Sequence, residues 1–87
     1  MTVWRSRIPE ACIRVLDAEA VVFDRDTGDT HHLDARATAV LDALMHAGPC
    51  TAPALYERFV PTAELSTSLT DDILAELERI GLVASSS

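Results

Sequence analysis

The sequence predicts an α+β fold with segregated layers: a three-stranded antiparallel β-sheet followed by three α-helices. Three observations carry that class. Residues 11–33 are rich in β-branched and aromatic side chains and carry short alternations of apolar with polar, as strands do. Residues 35–80 place apolar side chains three and four apart, the period of a helix. Asp34 stands where the period changes, positioned to cap the first helix.

Each element has its own signal. Met1 to Pro9 holds Trp4 and two of the arginines and alternates only weakly, so residues 1–10 read as either a loose arm or an extra edge strand. Ala11 to Leu16 is the first regular strand, with Ile13 and Val15 on one face and Arg14 on the other. Asp17-Ala18 makes a tight turn into Glu19–Arg25, whose consecutive apolar interior marks a central strand at least partly covered on both faces. Asp26-Thr27-Gly28 is a short hairpin loop in which Gly28 takes the positive φ of a turn with a bulge. Asp29 to Leu33 returns as a third strand, with Asp29, His31 and Leu33 on one face and Thr30 and His32 on the other. One strongly apolar residue in five fits a sheet edge, and an unpaired edge is where an extended peptide can add.

The helices follow. Ala35 to His46 shows Ala37, Val40, Leu41 and Leu44 at helical spacing, with His46 near the negative end of the dipole and Gly48-Pro49 as the stop. Thr51 caps a second, shorter helix with Pro53 in its first turn; Leu55 and Phe59 stack beside Tyr56 and Val60, and Pro61 ends it. After a polar connector, Thr62 to Ser66, the third helix runs from about Thr67 to Ile80, its stripe built from Leu69, Ile73, Leu77 and Ile80 and widened by Leu74. Gly81 is suited to the left-handed residue beyond it, with Leu82 folding back. Residues 84–87 read as a frayed tail.

The 87 residues make one domain, and the apolar fraction of 48% argues against disorder. Net charge is −7 and all seven basic residues are arginines, a balance that repels nucleic acid and suits partners with basic segments. No apolar run approaches the ~18 residues that cross a bilayer, and the first residues lack a secretory pattern, so a cytoplasmic, membrane-free setting is expected. Cys12 and Cys50 stand in no metal-ligand spacing and are expected to be small, reduced, buried or half-buried residues.

The run Val22-Phe23-Asp24 … Thr27-Gly28-Asp29-Thr30-His31-His32-Leu33-Asp34, followed by Ala39-Val40-Leu41, resembles the PqqD-like peptide chaperones, also called RiPP recognition elements. Within them it is similar to the subgroup associated with HPr-kinase-related proteins, where a Ser-Gly-Asp-Thr-His-Leu-Leu-Asp run is typical. Leu77 to Val83 is similar to the family's helix end, and the resemblance spans about Val15 to Val83. It implies a winged-helix-like domain that binds the leader segment of a ribosomally made precursor peptide as an added strand. The leader lies against the third strand, in a groove closed by the third helix, and passes to a peptide-modifying enzyme such as a kinase-like protein. Carried over by position, the peptide-binding residues are Asp29, Thr30, His31, His32 and Leu33 on the strand, with Leu69, Ile73 and Glu76 on the helix. Thr27 replaces the usual Ser and His32 the usual Leu, which removes an apolar wall at that position.

The residues themselves agree with a non-catalytic role. Neighbouring strand residues point apart, so His31 and His32 do not chelate one ion easily. No nucleophile elbow or Gly-rich phosphate loop is present, and Asp71 and Asp72, adjacent on a helix, diverge by ~100°. Their place near the helix start gives them a dipole role. No catalytic residue, cofactor or metal is expected. An acidic third helix (Asp71, Asp72, Glu76 and Glu78 against Arg79) favours Lys or Arg in the bound peptide. A proline at His31 is expected to remove an edge donor or distort the strand. Two other readings compete: a winged helix-turn-helix DNA-binding regulator, opposed by the acidity of its reading helix, and a structural homodimer paired through the third strand.

Overall fold

The computed structural model describes residues 1–9, 12–59 and 67–86, the side chains of Arg58, Phe59 and Thr67 excepted. The elements run β1 (Val3–Ser6), β2 (Ile13–Leu16), β3 (Glu19–Phe23), β4 (Thr30–Leu33), α1 (Ala35–Ala47), α2 (Ala52–Phe59), α3 (Thr67–Arg79) and β5 (Val83–Ser86). Mixed α+β is thus the observed class, but with two antiparallel sheets, one of order β2-β3-β4 and one of order β1-β5.

The three-stranded sheet is the predicted one. β3 is its centre, pairing Val22 with Ile13 on one side and with His31 on the other. Asp17 bridges β2 and β3 at φ 60, with no positive φ at Ala18, the sign pattern of a type II′ hairpin. The β3–β4 loop is one residue longer than predicted. Gly28 donates to the carbonyl of Asp24 (2.8 Å) and Asp24 to that of Asp29 (2.9 Å), enclosing four loop residues. Two amides left over are taken by side chains: Asp24 Oδ1 accepts from Asp26 (2.9 Å) and Thr27 Oγ1 from Asp29 (3.2 Å). Gly28 supplies the positive φ, 78°.

The helix ends follow the sequence. Asp34 Oδ1 accepts from the Ala37 amide at 2.8 Å, an N-cap one residue beyond the end of β4. Thr51 Oγ1 accepts from Ala54 at 3.4 Å at the start of α2. Beyond α3, Gly81 (φ 88) donates to Glu78 and Leu82 to Leu77, the paired bonds of a Schellman motif. The stacking of Phe59 and Val60, the stop at Pro61, the connector 62–66 and the strand start at Ala11 lie outside the described residues.

The chain ends differ from expectation. Residues 84–86 are not frayed: with Val83 they form β5, which pairs with β1 in the register Trp4↔Ser85 and Ser6↔Val83. The extra-strand reading of the amino-terminal arm is the one observed, and its partner is the other end of the chain. Glu78 accepts hydrogen bonds from the amide (3.1 Å) and the hydroxyl of Ser85, fixing β5 to α3. Trp4 and Cys50 exchange two main-chain bonds (2.8 and 3.0 Å), so β1 also bridges to the segment before α2.

The core is a single apolar cluster around α1. Val40, Leu41 and Leu44 meet Ala20, Val22 and Leu33 from the sheet, Leu55 from α2, Leu74 and Leu77 from α3, and Leu82 and Val83 beyond it. Both cysteines are free thiols, Cys12 buried and Cys50 half-buried. Among the described residues no helix is long and apolar enough to cross a membrane.

Candidate functional site

The phase of the β3–β4 ladder decides which groups β4 offers outward. Antiparallel pairs alternate between those that exchange hydrogen bonds and those that do not. Counting from the Asp24–Asp29 bond, the exchanging pairs are Val22·His31 and Ala20·Leu33. The N–H and C=O of Thr30 and His32 therefore point away from β3. Among the described residues no strand lies on that side.

The side chains divide the other way. Leu33 is buried and His31 half-buried, on the face toward α1, while Thr30 and His32 are exposed on the opposite face. Asp29 is exposed, with its amide already held by Thr27. Of the two effects expected of a proline at His31, the lost edge donor is corrected here and the distorted strand remains. The His31 amide faces β3, so a proline there breaks the sheet from within; the outward donors belong to Thr30 and His32.

On α3, Thr70, Leu74 and Leu77 form the buried row, and Leu69 and Ile73 form a half-buried shoulder beside it, with half-buried Ile80 just beyond the helix end. Glu76 is exposed and bound by Arg79, whose Nε donates at 3.0 Å and whose Nη2 also donates. The Arg79 hydrogen bond holds the Glu76 carboxyl below the usual glutamate range and raises the guanidinium in turn. With Glu78 engaged by Ser85, the exposed acids left to attract a basic guest are Asp71 and Asp72. They lie in the second turn, since the first carries no acid, so the dipole role does not apply to them. The two halves of the predicted site share one neighbour: β4 packs on α1, and α3 packs on α1, α2 and β5.

Sequence reasoning missed the opposite edge of the same sheet. Because Ala20 and Val22 face β4, the β2–β3 pairs that exchange bonds are Arg14·Val21 and Leu16·Glu19, and Ile13 and Val15 present their main-chain groups outward. Beside that edge lies a small cleft against α1, lined by Ile13, Val15, Leu33, Leu41, Asp42 and Met45 among others. It runs on past Val15, Thr38 and Asp42 toward Asp17 and Arg36. The signal was present: a first strand preceded only by a weakly patterned arm is itself a sheet edge. The sheet's outer face is only partly covered, with Val21 half-buried, Phe23 45% and Leu16 57% exposed.

No protein-family model, curated protein or solved structure matches this chain.

Proposed function

We propose that this chain is a non-catalytic leader-peptide-binding domain that holds a precursor peptide as an added strand on β4 and delivers it to a modifying enzyme. Its arrangement is winged-helix-like in this reading, its setting cytoplasmic, and the enzyme partner kinase-like. One observation supports the reading above others: β4 is an edge strand, and Thr30 and His32 direct two donors and two acceptors outward with no strand against them among the described residues. Main-chain bonds of this kind contribute on the order of 1 kcal/mol each, so four of them anchor a guest without selecting it. Selection falls to the exposed Thr30 and His32 side chains and to Leu69 and Ile73 on α3, with Asp71, Asp72 and the Arg79-bound Glu76 on the same helix.

The test is fluorescence anisotropy with overlapping labelled peptides covering the leader of a short precursor encoded beside this chain's gene. Binding tighter than ~100 μM, equivalent to about −5.5 kcal/mol, is expected for at least one segment. His32→Pro removes an outward donor while sparing the β3 ladder, and is expected to weaken that binding by about 10-fold or more. A folded His32→Pro variant that binds as tightly as the unaltered chain removes β4 as the site.

A further inference from the structure

We infer that the cleft between the outer edge of β2 and α1 is a second docking site, taking an extended apolar segment with a Lys or Arg side chain from a partner protein. The inference stands apart from the reading of β4, which concerns the other edge.

Three features meet in the cleft. Ile13 and Val15 direct N–H and C=O groups outward, and no strand pairs with them among the described residues. Beside them the floor is apolar, formed by Leu33, Leu41 and Met45. Val15, on the face toward α1, lines the cleft and is itself 53% exposed. An added strand places alternate side chains on the face toward α1, where apolar ones meet that floor. A basic one meets Asp42, whose side chain is 62% exposed, lies 3.4 Å from His46 Nδ1 and lines both parts of the cleft, or Asp17 in the part that Arg36 also lines. The charge acts on selection and encounter rate more than on affinity.

A second copy fits less well. If two β2 strands paired about a two-fold axis with Ile13 opposite Val15, Arg14 would face its own counterpart, a destabilising opposition of like charges. The register placing Val15 opposite itself sets Ile13 against Asp17 and so runs into the hairpin turn.

The experiment pans a displayed library of random dodecapeptides on the purified chain. Enriched peptides are then measured by anisotropy against the unaltered chain, Val15→Pro, Asp42→Lys and His32→Pro. Expected are peptides alternating apolar residues with at least one Lys or Arg. Val15→Pro, which removes an outward donor only, weakens them about 10-fold or more. Panning repeated on Asp42→Lys enriches Glu or Asp in place of Lys or Arg, and His32→Pro leaves affinity unchanged. Should Val15→Pro fail to fold by circular dichroism, Met45→Arg, which fills the cleft from the half-buried face of α1, takes its place with the same expected loss. Absence of enrichment overturns the inference. So does binding lost in His32→Pro but intact in Val15→Pro, which leaves the β4 reading standing. A dimer seen by sedimentation velocity and abolished by Val15→Pro gives the edge to a second copy and likewise overturns it.

Discussion

The two edges of the three-stranded sheet make an instructive pair. β2 and β4 flank the same central strand and each turns two residues' main-chain groups outward, yet their surroundings are opposite in character. β4 ends in a buried Leu33 and an N-cap at Asp34, so α1 grips it directly, and what it leaves outside is Thr30 and His32. β2 leaves Val15 and Leu16 more than half exposed and borders an apolar cleft. An open edge therefore does not define a binding site; what lies beside it sets the chemistry of the guest. A polar edge draws on main-chain bonds and selects through a neighbouring element, whereas an edge over an apolar floor selects through burial.

The sharpest way to break this comparison is to truncate one anchor on each side. Leu33→Ala is expected to destabilise the domain by about 2–5 kcal/mol, because it empties a buried position between β4 and α1. Val15→Ala, at 53% exposure, is expected to change stability by less than about 0.5 kcal/mol. Urea unfolding of both variants measures the difference, and equal losses would erase the distinction between the edges.

Next in size is the junction holding β4 to α1. Asp34→Ala removes the acceptor for the Ala37 amide and is expected to lower stability by about 1 kcal/mol, within 0.5–2. If β4 is held through this cap, amide exchange should rise in β4 and the first turn of α1 and leave β2 unchanged.

The two hairpin turns sharpen the contrast further. Asp17 at φ 60 and Gly28 at φ 78 both sit in the left-handed region, where a Cβ is strained even though nothing crowds Gly28. Gly28→Ala is expected to cost about 1 kcal/mol or somewhat more by thermal unfolding. Asp17→Gly, already in a strained position, is expected to be near neutral, and a large loss would mean that the aspartate side chain holds the β2 turn.

The smallest effect lies on α3. Glu76 is lowered by its bond to Arg79, so the pair's contribution is present above the ordinary glutamate pKa and fades as pH falls through the lowered value. Exposure of both side chains to solvent keeps that contribution slight. A carboxyl NMR titration should give Glu76 a midpoint below that of a glutamate in a short peptide, and Arg79→Gln should bring it back.

Much of this was legible along the chain. Asp34, Thr51, Gly28 and Gly81 each act on residues no more than five positions away, and each does what its chemistry prescribes. The alternation of Thr30, His31, His32 and Leu33 gave the correct faces, and β3 was correctly placed at the centre. The direction of the His31 amide was not legible, because it depends on the ladder's phase, which the four-residue loop decides. Nor was the pairing of Val83–Ser86 with Val3–Ser6: Ser85 and Ser86 carry no strand signal until β1 and Glu78 are brought beside them.

The amino-acid order by itself determined the class, the caps, the turns and the inward-facing side chains, since each depends on near neighbours and on a repeat of two or 3.6 residues. Only the tertiary structure decided that the chain's ends zip together, that Glu78 is engaged by Ser85, and that an apolar cleft opens beside β2. Those features join residues separated by an intervening loop or by most of the chain, and packing around α1 is what brings them within reach.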